Sequence, residues 1–262
     1  MPKNPHLNRI LNIVPSRNTE NDWRFEHAVA AGIIRKAAIP SSTDLRAGWW
    51  GIGDQGTTGS CVGWASADGV IRWHMVKAAR LARKERLSPR FLWMAAKETD
   101  EYTTAPTTFI ERVGTSLKAA LDIARKFGTV PDSTMPFATG QLYPGDVSSF
   151  FALAATRKIA SYFNLGREPA TWRAWIAQHG PILTRLDVDA TWDNAQATRG
   201  KLDVYQSGHT RGGHAVALVG YTADRFIVRN SWGTKLWGDR GFGYASDAYV
   251  RAAFVEAYGV TV

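Results

Sequence analysis

The spacing of apolar residues along the chain changes near its middle. In the first half they recur every three or four positions, which is typical of helices that bury one side. The longest such run follows Cys61 and extends from Val62 to about Lys84. Two more helices are predicted, at about residues 89–97 and 117–126, because each has a capping residue before it or a glycine after it.

Apolar runs in the second half are shorter, and some alternate with charged residues as half-buried strands do. One helix is predicted at about residues 169–178. Strands are predicted at about residues 157–163, 182–188, 214–221, 225–229 and 241–244. Helices followed by an antiparallel sheet predict an α+β protein with two lobes. The helical lobe would span about residues 47–155, and the β lobe about 156–262.

The first 38 residues form a region of their own. They are mixed in polarity and only partly periodic, with one short helix predicted around Phe25 and capped by Asn21 or Asp22. A turn-rich, extended segment begins at Ile39. We therefore divide the chain into an N-terminal extension, residues 1–38, and one domain, residues 39–262.

Composition places the chain among globular proteins. Of its 262 residues 45% are hydrophobic and 21% are charged. No run approaches the roughly 18 apolar residues that span a bilayer, and the first residues lack the apolar stretch of a secretory signal. We expect a cytoplasmic protein, or one exported by a route without a recognisable signal peptide.

The net charge of +9 allows two interpretations. Basic residues cluster at the end of the longest helical run, and an anionic partner such as nucleic acid could bind them. The alternative is a solvated helix end whose cations complement the helix dipole. We favour the second, because no nucleic-acid motif accompanies the cluster, which comprises Lys77, Arg80, Arg83, Lys84 and Arg86.

Cys61 is the only cysteine, so no disulfide can form within the chain. Small and hydroxyl residues precede it and a helix follows, so the positive end of the helix dipole favours its thiolate. A lone thiol argues against a thiolate-rich zinc site. His209 and His214 are poorly spaced for a metal pair, and we expect no metal.

Four segments in order resemble the papain-like cysteine peptidases. The first is Gln55-Gly56-Thr57-Thr58-Gly59-Ser60-Cys61, and the second is Gly213-His214-Ala215. The third and fourth are Asn230-Ser231-Trp232-Gly233 and Trp237-Gly238-Asp239-Arg240-Gly241. The resemblance extends from about Ile39 to Tyr249. It implies a two-lobe fold with the active-site cleft between the lobes, peptide or protein substrates, and no metal or organic cofactor.

The resemblance also implies a role for each matching residue. Cys61 would be the nucleophile and His214 its base, with Asn230 accepting a hydrogen bond from the other ring nitrogen. Gln55 would donate its side-chain amide to the oxyanion, together with the backbone N–H of Cys61. Trp232 would shield the His–Asn hydrogen bond from water.

Substrate-binding residues follow from the same resemblance. Ala215 would line the main specificity pocket, where its small side chain suggests tolerance of an apolar substrate residue. The further candidates are Gly213, Gly114, Trp232 and Trp237. The sequence departs from the family at Val62, where a tryptophan is usual, and at Thr58, where a disulfide cysteine is usual. One extra residue lies between Gly233 and Trp237, in a loop that borders the leaving-group side of the cleft.

The sequence leaves several alternatives open. The preferred function is an endopeptidase that works through a thioester acyl-enzyme. A catalytically idle papain-like protein that binds peptides, or a basic nucleic-acid-binding protein, would be the alternatives. Residues 1–38 would be either a short propeptide of a zymogen or a structural arm packed on the domain. Hydrolysis is not distinguished from transfer of the acyl group to an amine.

Overall fold

The computed structural model describes residues 8–35, 37–99, 110–138 and 143–262. The α-helical segments are α1 (Phe25–Ala30), α2 (Cys61–Gly63), α3 (Arg72–Lys77), α4 (Pro89–Thr99), α5 (Leu117–Lys126), α6 (Val147–Ala155), α7 (Pro169–Gln178) and α8 (Asp247–Ala253). The strands are β1 (Thr43–Asp44), β2 (Ser161–Asn164), β3 (Ile182–Asp189), β4 (Lys201–Leu202), β5 (Thr210–Tyr221), β6 (Arg225–Arg229), β7 (Phe242–Ser246) and β8 (Phe254–Thr261). The α+β prediction is confirmed.

A single buried helix runs through the interior from Cys61 to Lys77. Its middle, Trp64–Ile71, is π-helical and joins α2 to α3; we call the three segments together the central helix. It ends seven residues before the predicted end at Lys84 because Ala79 takes a left-handed conformation, φ 56°, and Arg80 N–H bonds back to the Met75 carbonyl. The basic residues beyond it therefore lie in turns, not on a helix end as predicted.

Eight strands form one sheet in the order β2-β8-β3-β5-β6-β7-β4, with β1 on β5. Every pair is antiparallel except β4 with β7. From His214 onward β5 is wholly buried, because the central helix packs near it on one side and α7 on the other. That explains why its sequence is an unbroken apolar run and not an alternation. Strands β1, β4 and β8 and helices α6 and α8 were not predicted from the sequence.

Two hydrophobic cores hold the fold together. One lies around the central helix, α4 and α5 and reaches the sheet at Ala215 and Ala217. The other lies between the opposite face of the sheet and α7, and contains Trp172, Trp175 and Trp192. The high tryptophan content is largely packed inside these two cores, as expected for large aromatic side chains.

A buried ion cluster connects the central helix to the sheet. Asp68 is fully buried and accepts hydrogen bonds from Arg72, 2.9 Å, and from Arg229, 2.8 Å. Burial by itself raises the pKa of Asp68, but attraction to Arg229, Arg86 and Arg72 outweighs burial and lowers it. Asp68 is therefore a carboxylate. Its buried ion pairs with Arg72 and Arg229 join the central helix to the sheet out of contact with solvent.

The N-terminal residues pack on both cores. Ile13 lies in the first core, and Ala28 and Ile34 lie in the second. Asp22 does not cap α1 as predicted, since Arg24 precedes that helix; its buried carboxylate contacts Lys118 and accepts a bond from Tyr258, 2.9 Å. We call residues 8–35 the arm.

We expect Asp68→Asn to lower the free energy of unfolding by about 3–5 kcal/mol, because it leaves two buried guanidinium groups without their counter-ion. Chemical denaturation at neutral pH measures the loss. Arg251→Gln breaks the exposed ion pair with Glu168 and serves as the control; it should cost about 1 kcal/mol or less. Equal losses in the two variants would contradict a structural role for the cluster.

Acid should destabilise the fold partly through His74. Burial lowers the pKa of His74 to about 4, from 6.5. The unfolded chain then binds more protons between those values, so this stability is complete above pH 6.5 and is lost as the pH falls towards 4. We expect His74→Gln to remove up to about 3 kcal/mol of that pH dependence. Denaturation midpoints between pH 7.5 and 4.5 test this, with exposed His209→Gln as the control.

Candidate active site

Cys61 stands at the first position of the central helix, next to β5. Ser60 precedes it as the N-cap, and the residues from Asp54 to Ser60 approach it through turns. The backbone N–H of Ala215 on β5 acts on its sulfur and lowers the pKa of the thiol, against the effect of burial. Cys61 is a free thiol and is fully buried. The nucleophile candidate thus sits at the junction of the two lobes, as the resemblance implies.

His214 and Asn230 meet on the β side of this junction. His214 lies on β5 and Asn230 directly follows β6, the neighbouring strand. The ring Nε2 of His214 is 2.8 Å from Asn230 Oδ1, which must accept, so Nε2 carries the proton. Nδ1 is then an acceptor. It is buried and has no hydrogen-bond partner within the described part of the chain.

Gln55 connects the turn before Cys61 to the segment after β6. Its backbone N–H donates to the Ser231 carbonyl, 2.9 Å, and its side-chain oxygen accepts from Ser231 Oγ, 2.8 Å. Its side-chain nitrogen donates to the Thr58 carbonyl, 3.1 Å. These bonds orient the side-chain amide with its nitrogen towards the Cys61 side of the turn. Thr58, which replaces the family's usual cysteine, takes part in this network.

Aromatic rings enclose the imidazole. Trp232 packs on His214 with ring centroids 5.1 Å apart, and Trp192 meets it edge-on at 5.6 Å. Trp192 is held by a chain of hydrogen bonds, from its Nε1 to Tyr249 and from Tyr249 to Asp189. The sequence gives no local sign of Trp192, because it reaches the site from the loop after β3.

Trp237 lies behind the rings that cover His214. It is fully buried and packs on Trp192 and Trp232, with centroid distances of 4.6 and 5.8 Å. In this structure it supports these rings, and its role in substrate binding stays a prediction.

Burial favours the neutral form of both reactive groups in this structure. It raises the pKa of Cys61 to about 11, although the backbone N–H groups of Ala215, Val62 and Cys61 itself act to lower it. It lowers the pKa of His214 to about 4; the bond to Asn230 opposes this shift, and the charge of Arg9 adds to it. The N–H groups at the start of the central helix thus favour the thiolate, but desolvation of the buried sulfur exceeds their effect.

The arm crosses between the lobes at this site. Asn12 bonds through its side chain to the Arg112 carbonyl of the helical lobe and forms a parallel β-bridge with Gly213 of the β lobe. Val14 N–H donates to the Thr115 carbonyl, 3.2 Å, and Ile13 N–H to the Gly213 carbonyl, 3.4 Å. The arm thus makes backbone hydrogen bonds on both sides of the cleft.

Two predicted substrate-binding glycines contact the arm. A Cβ on Gly114 would lie 2.2 Å from the Asn12 carbonyl oxygen, and one on Gly213 would lie 2.6 Å from Ile13 Cγ2. At Gly114 only glycine permits this approach of a second backbone, and at Gly213 the absent side chain leaves room for Ile13. Ile13 also shares the first core with Ala215, the predicted lining of the specificity pocket. The arm therefore occupies the positions where the sequence predicts a bound peptide.

Nothing in the described residues suggests a metal or a membrane span. No three His, Cys, Asp or Glu side chains of residues 8–35, 37–99, 110–138 and 143–262 are grouped to hold a metal ion. Within the same ranges, no helix combines the length and apolar character that crossing a bilayer requires.

Known proteins match this arrangement over most of the chain. The model of the papain family cysteine proteases matches residues 39–256. The cathepsin B-like protein CP3 of Giardia intestinalis is 27% identical over 237 residues, which are 84% of this chain and 73% of that protein.

Solved structures of cysteine proteases share the fold. Xylellain, a cysteine protease from Xylella fastidiosa, has a TM-score of 0.81 at 19% identity over 97% of each chain. A procathepsin B from Trypanosoma congolense has a TM-score of 0.71 at 14% identity, over 99% of this chain and 88% of that one. The family match covers Gln55, Cys61, His214 and Asn230. The protein therefore belongs to the papain family of cysteine proteases and is a cysteine peptidase.

Proposed function

We propose that this cysteine peptidase is an endopeptidase that acts through a Cys61–His214–Asn230 site and a thioester acyl-enzyme. The observation that carries the proposal is the tautomer of His214. Its Nε2–H is committed to Asn230, so the buried Nδ1 is left as an acceptor without a partner in the described residues. A proton from the thiol of Cys61, on the adjoining helix, would satisfy it.

In the proposed first half-reaction, His214 Nδ1 takes the thiol proton of Cys61, and the sulfur attacks the carbonyl carbon of the substrate peptide bond. The tetrahedral intermediate collapses as the C–N bond breaks. His214 returns its proton to the departing nitrogen, which leaves as an amine, and the acyl part remains on sulfur as a thioester. Asn230 keeps the ring oriented and stabilises its charged form, as the third group of a triad does.

In the second half-reaction, water gives a proton to His214 and its oxygen attacks the carbonyl carbon of the thioester. The C–S bond then breaks, the carboxylic acid leaves, and His214 returns the proton to sulfur, which regenerates the thiol. The Gln55 side-chain amide and the Cys61 backbone N–H are the proposed donors to the oxyanion of both tetrahedral intermediates. One donor of this kind typically lowers the barrier by about 2.7–4 kcal/mol. The bonds from Gln55 to Ser231 and Thr58 hold the amide in place before substrate arrives.

We further propose that the structure represents a latent form, closed by the first part of the arm. Residues 9–14 cover the cleft, whereas Asp22, Ala28 and Ile34 are buried parts of the fold. Activation therefore needs displacement or cleavage near residues 9–14, and not removal of residues 1–38 as one piece. This combines the two alternatives for the extension: its beginning inhibits, and its remainder is structural.

Loosening the cleft contacts should raise activity. We define the opened chain as the full chain with Arg9→Ala and Asn12→Ala, which leave Ile13, Asp22, Ala28 and Ile34 unchanged. We expect its kcat/KM on unstructured peptides to exceed that of the wild type about tenfold or more. Asn21→Ala with Arg24→Ala, two exposed arm residues of the same types, is the control and should give no increase. Equal activity of opened and wild-type chains would contradict latency by the arm.

The proposed mechanism requires both Cys61 and His214. In the opened chain, Cys61→Ala should abolish labelling by an epoxide inhibitor, and both Cys61→Ala and His214→Ala should abolish peptide hydrolysis. His209→Ala, an exposed histidine five positions earlier, should retain activity. Product analysis by mass spectrometry shows whether internal peptide bonds are cut. If the opened chain binds peptides but cleaves none between pH 4 and 9, the idle peptide-binding function would be correct.

A further inference from the structure

The side chain of Arg9 contacts Asp54, Gly56 and Trp232, three described residues that lie outside the arm. Its Nη1 donates to Asp54 Oδ1, 2.5 Å, and to the Gly56 carbonyl, 2.6 Å, while Nη2 lies 3.3 Å from Asp54 Oδ2. The guanidinium also lies 5.8 Å from the ring centroid of Trp232. Only 8% of the Arg9 side chain is exposed. We call Asp54, Gly56 and Trp232 the Arg9 slot.

The slot is built independently of Arg9. Asp54 Oδ1 accepts the Gly56 N–H, 2.8 Å, which fixes the carboxylate within its own turn. Asp54 also forms an antiparallel β-bridge with Trp232, so the turn before Cys61 and the segment after β6 hold each other. These contacts do not involve the arm. Displacement of Arg9 therefore leaves a carboxylate, a carbonyl oxygen and an indole face arranged around a space that fits a guanidinium.

The slot lies where the leaving segment of a substrate has to pass. In the proposed mechanism His214 protonates the departing nitrogen, and Trp232 packs directly on His214. The arm's backbone pairing with Gly213 and Thr115 occupies a different part of the cleft. Beyond the slot, an open groove of about 290 Å³ continues along Ile52, Asp54, Trp232 and the loop through Leu236. A peptide that leaves past Trp232 would enter this groove.

We propose that the Arg9 slot recognises an arginine side chain of the substrate on the leaving-group side of the cleaved bond. This rests on the proposed function and adds the substrate class to it. Arginine fits better than lysine, because the two Asp54 oxygens and the Gly56 carbonyl form an array that a planar, forked cation matches and a single ammonium does not. Arg9 and the substrate arginine compete for the same site. Arg9, which helps to close the cleft, therefore binds Asp54 as the substrate arginine would.

Asp54 therefore has two opposed effects in the full chain. Its neutralisation weakens the hold on the arm, and it also removes the preference for arginine. The test uses the opened chain, in which Arg9 is absent and cannot compete with the substrate for Asp54. Asp54→Asn preserves the shape of the side chain and an oxygen for the Gly56 N–H, and circular dichroism and a melting curve verify that the fold is kept.

Binding is measured first, because it does not require catalysis. Fluorescent peptides carry arginine or citrulline, its neutral isostere, at the first, second or third position after the intended cleavage site. We expect the opened chain with Cys61→Ala to bind one of the arginine peptides about tenfold more tightly than its citrulline partner. Asp54→Asn should reduce the ratio to about one. Raising the salt concentration from 0.05 to 0.5 M should reduce it in part, since the carboxylate is half-exposed.

Analysis of the cleavage products then shows on which side of the cleaved bond arginine is preferred. With Cys61 restored, mass spectrometry should place the arginine in the released amine product, and the arginine-to-citrulline ratio of kcat/KM should fall with Asp54→Asn. An unchanged ratio in Asp54→Asn, or a preference found only in the acyl product, would overturn the inference. Selective binding without cleavage would support the slot and reject the proposed catalytic function. Cleavage without arginine selectivity would support the proposed catalytic function and reject the slot.

Discussion

The buried attraction between Asp68 and Arg229 is the contact on which the geometry of this protein depends. Asp68 belongs to the helix that begins at Cys61, and Arg229 immediately precedes Asn230. A 2.8 Å ion pair without solvent thus joins the element that carries the nucleophile to the element that carries the orienting amide. Arg72 satisfies the second carboxylate oxygen. Such a cluster contributes little net stability compared with apolar packing, but it strongly disfavours other arrangements of its members. Here it fixes how the two lobes meet.

Solvent access is the second constraint on the site. Cys61 and His214, which would carry the chemistry, are fully buried, and burial shifts the pKa of each towards its neutral form. A charged thiolate–imidazolium pair needs hydration or strong dipoles. In the proposed latent form, opening the cleft would therefore change the electrostatics of the pair as well as the access of substrate. Residues 9–14 would control both, while Asp22, Ala28 and Ile34 are buried parts of the fold.

Local signals predicted much of the fold. The helix Leu117–Lys126 was predicted with correct bounds because Ser116 caps it and Gly128 terminates it, and α7 and β6 also have their predicted bounds. The central helix was predicted too long, because its sequence continues to favour a helix while Ala79 turns the chain back onto Met75. Strand β8 was missed because its pairing with β2 and β3 depends on residues about 70 to 100 positions away. Its own sequence carries only a weak alternation.

For this protein, the sequence by itself determined the identity of the reactive groups. One thiol at a helix start, followed in order by His214, Asn230 and Trp232, specifies the family without coordinates. Tertiary structure decided the state of those groups. It placed Asn12 on Gly213, some two hundred residues away, enclosed His214 with Trp192, and seated Arg9 against Asp54. Periodicity and capping act over a few residues, whereas burial and pKa values arise from contacts between distant segments, so only the folded chain reveals them.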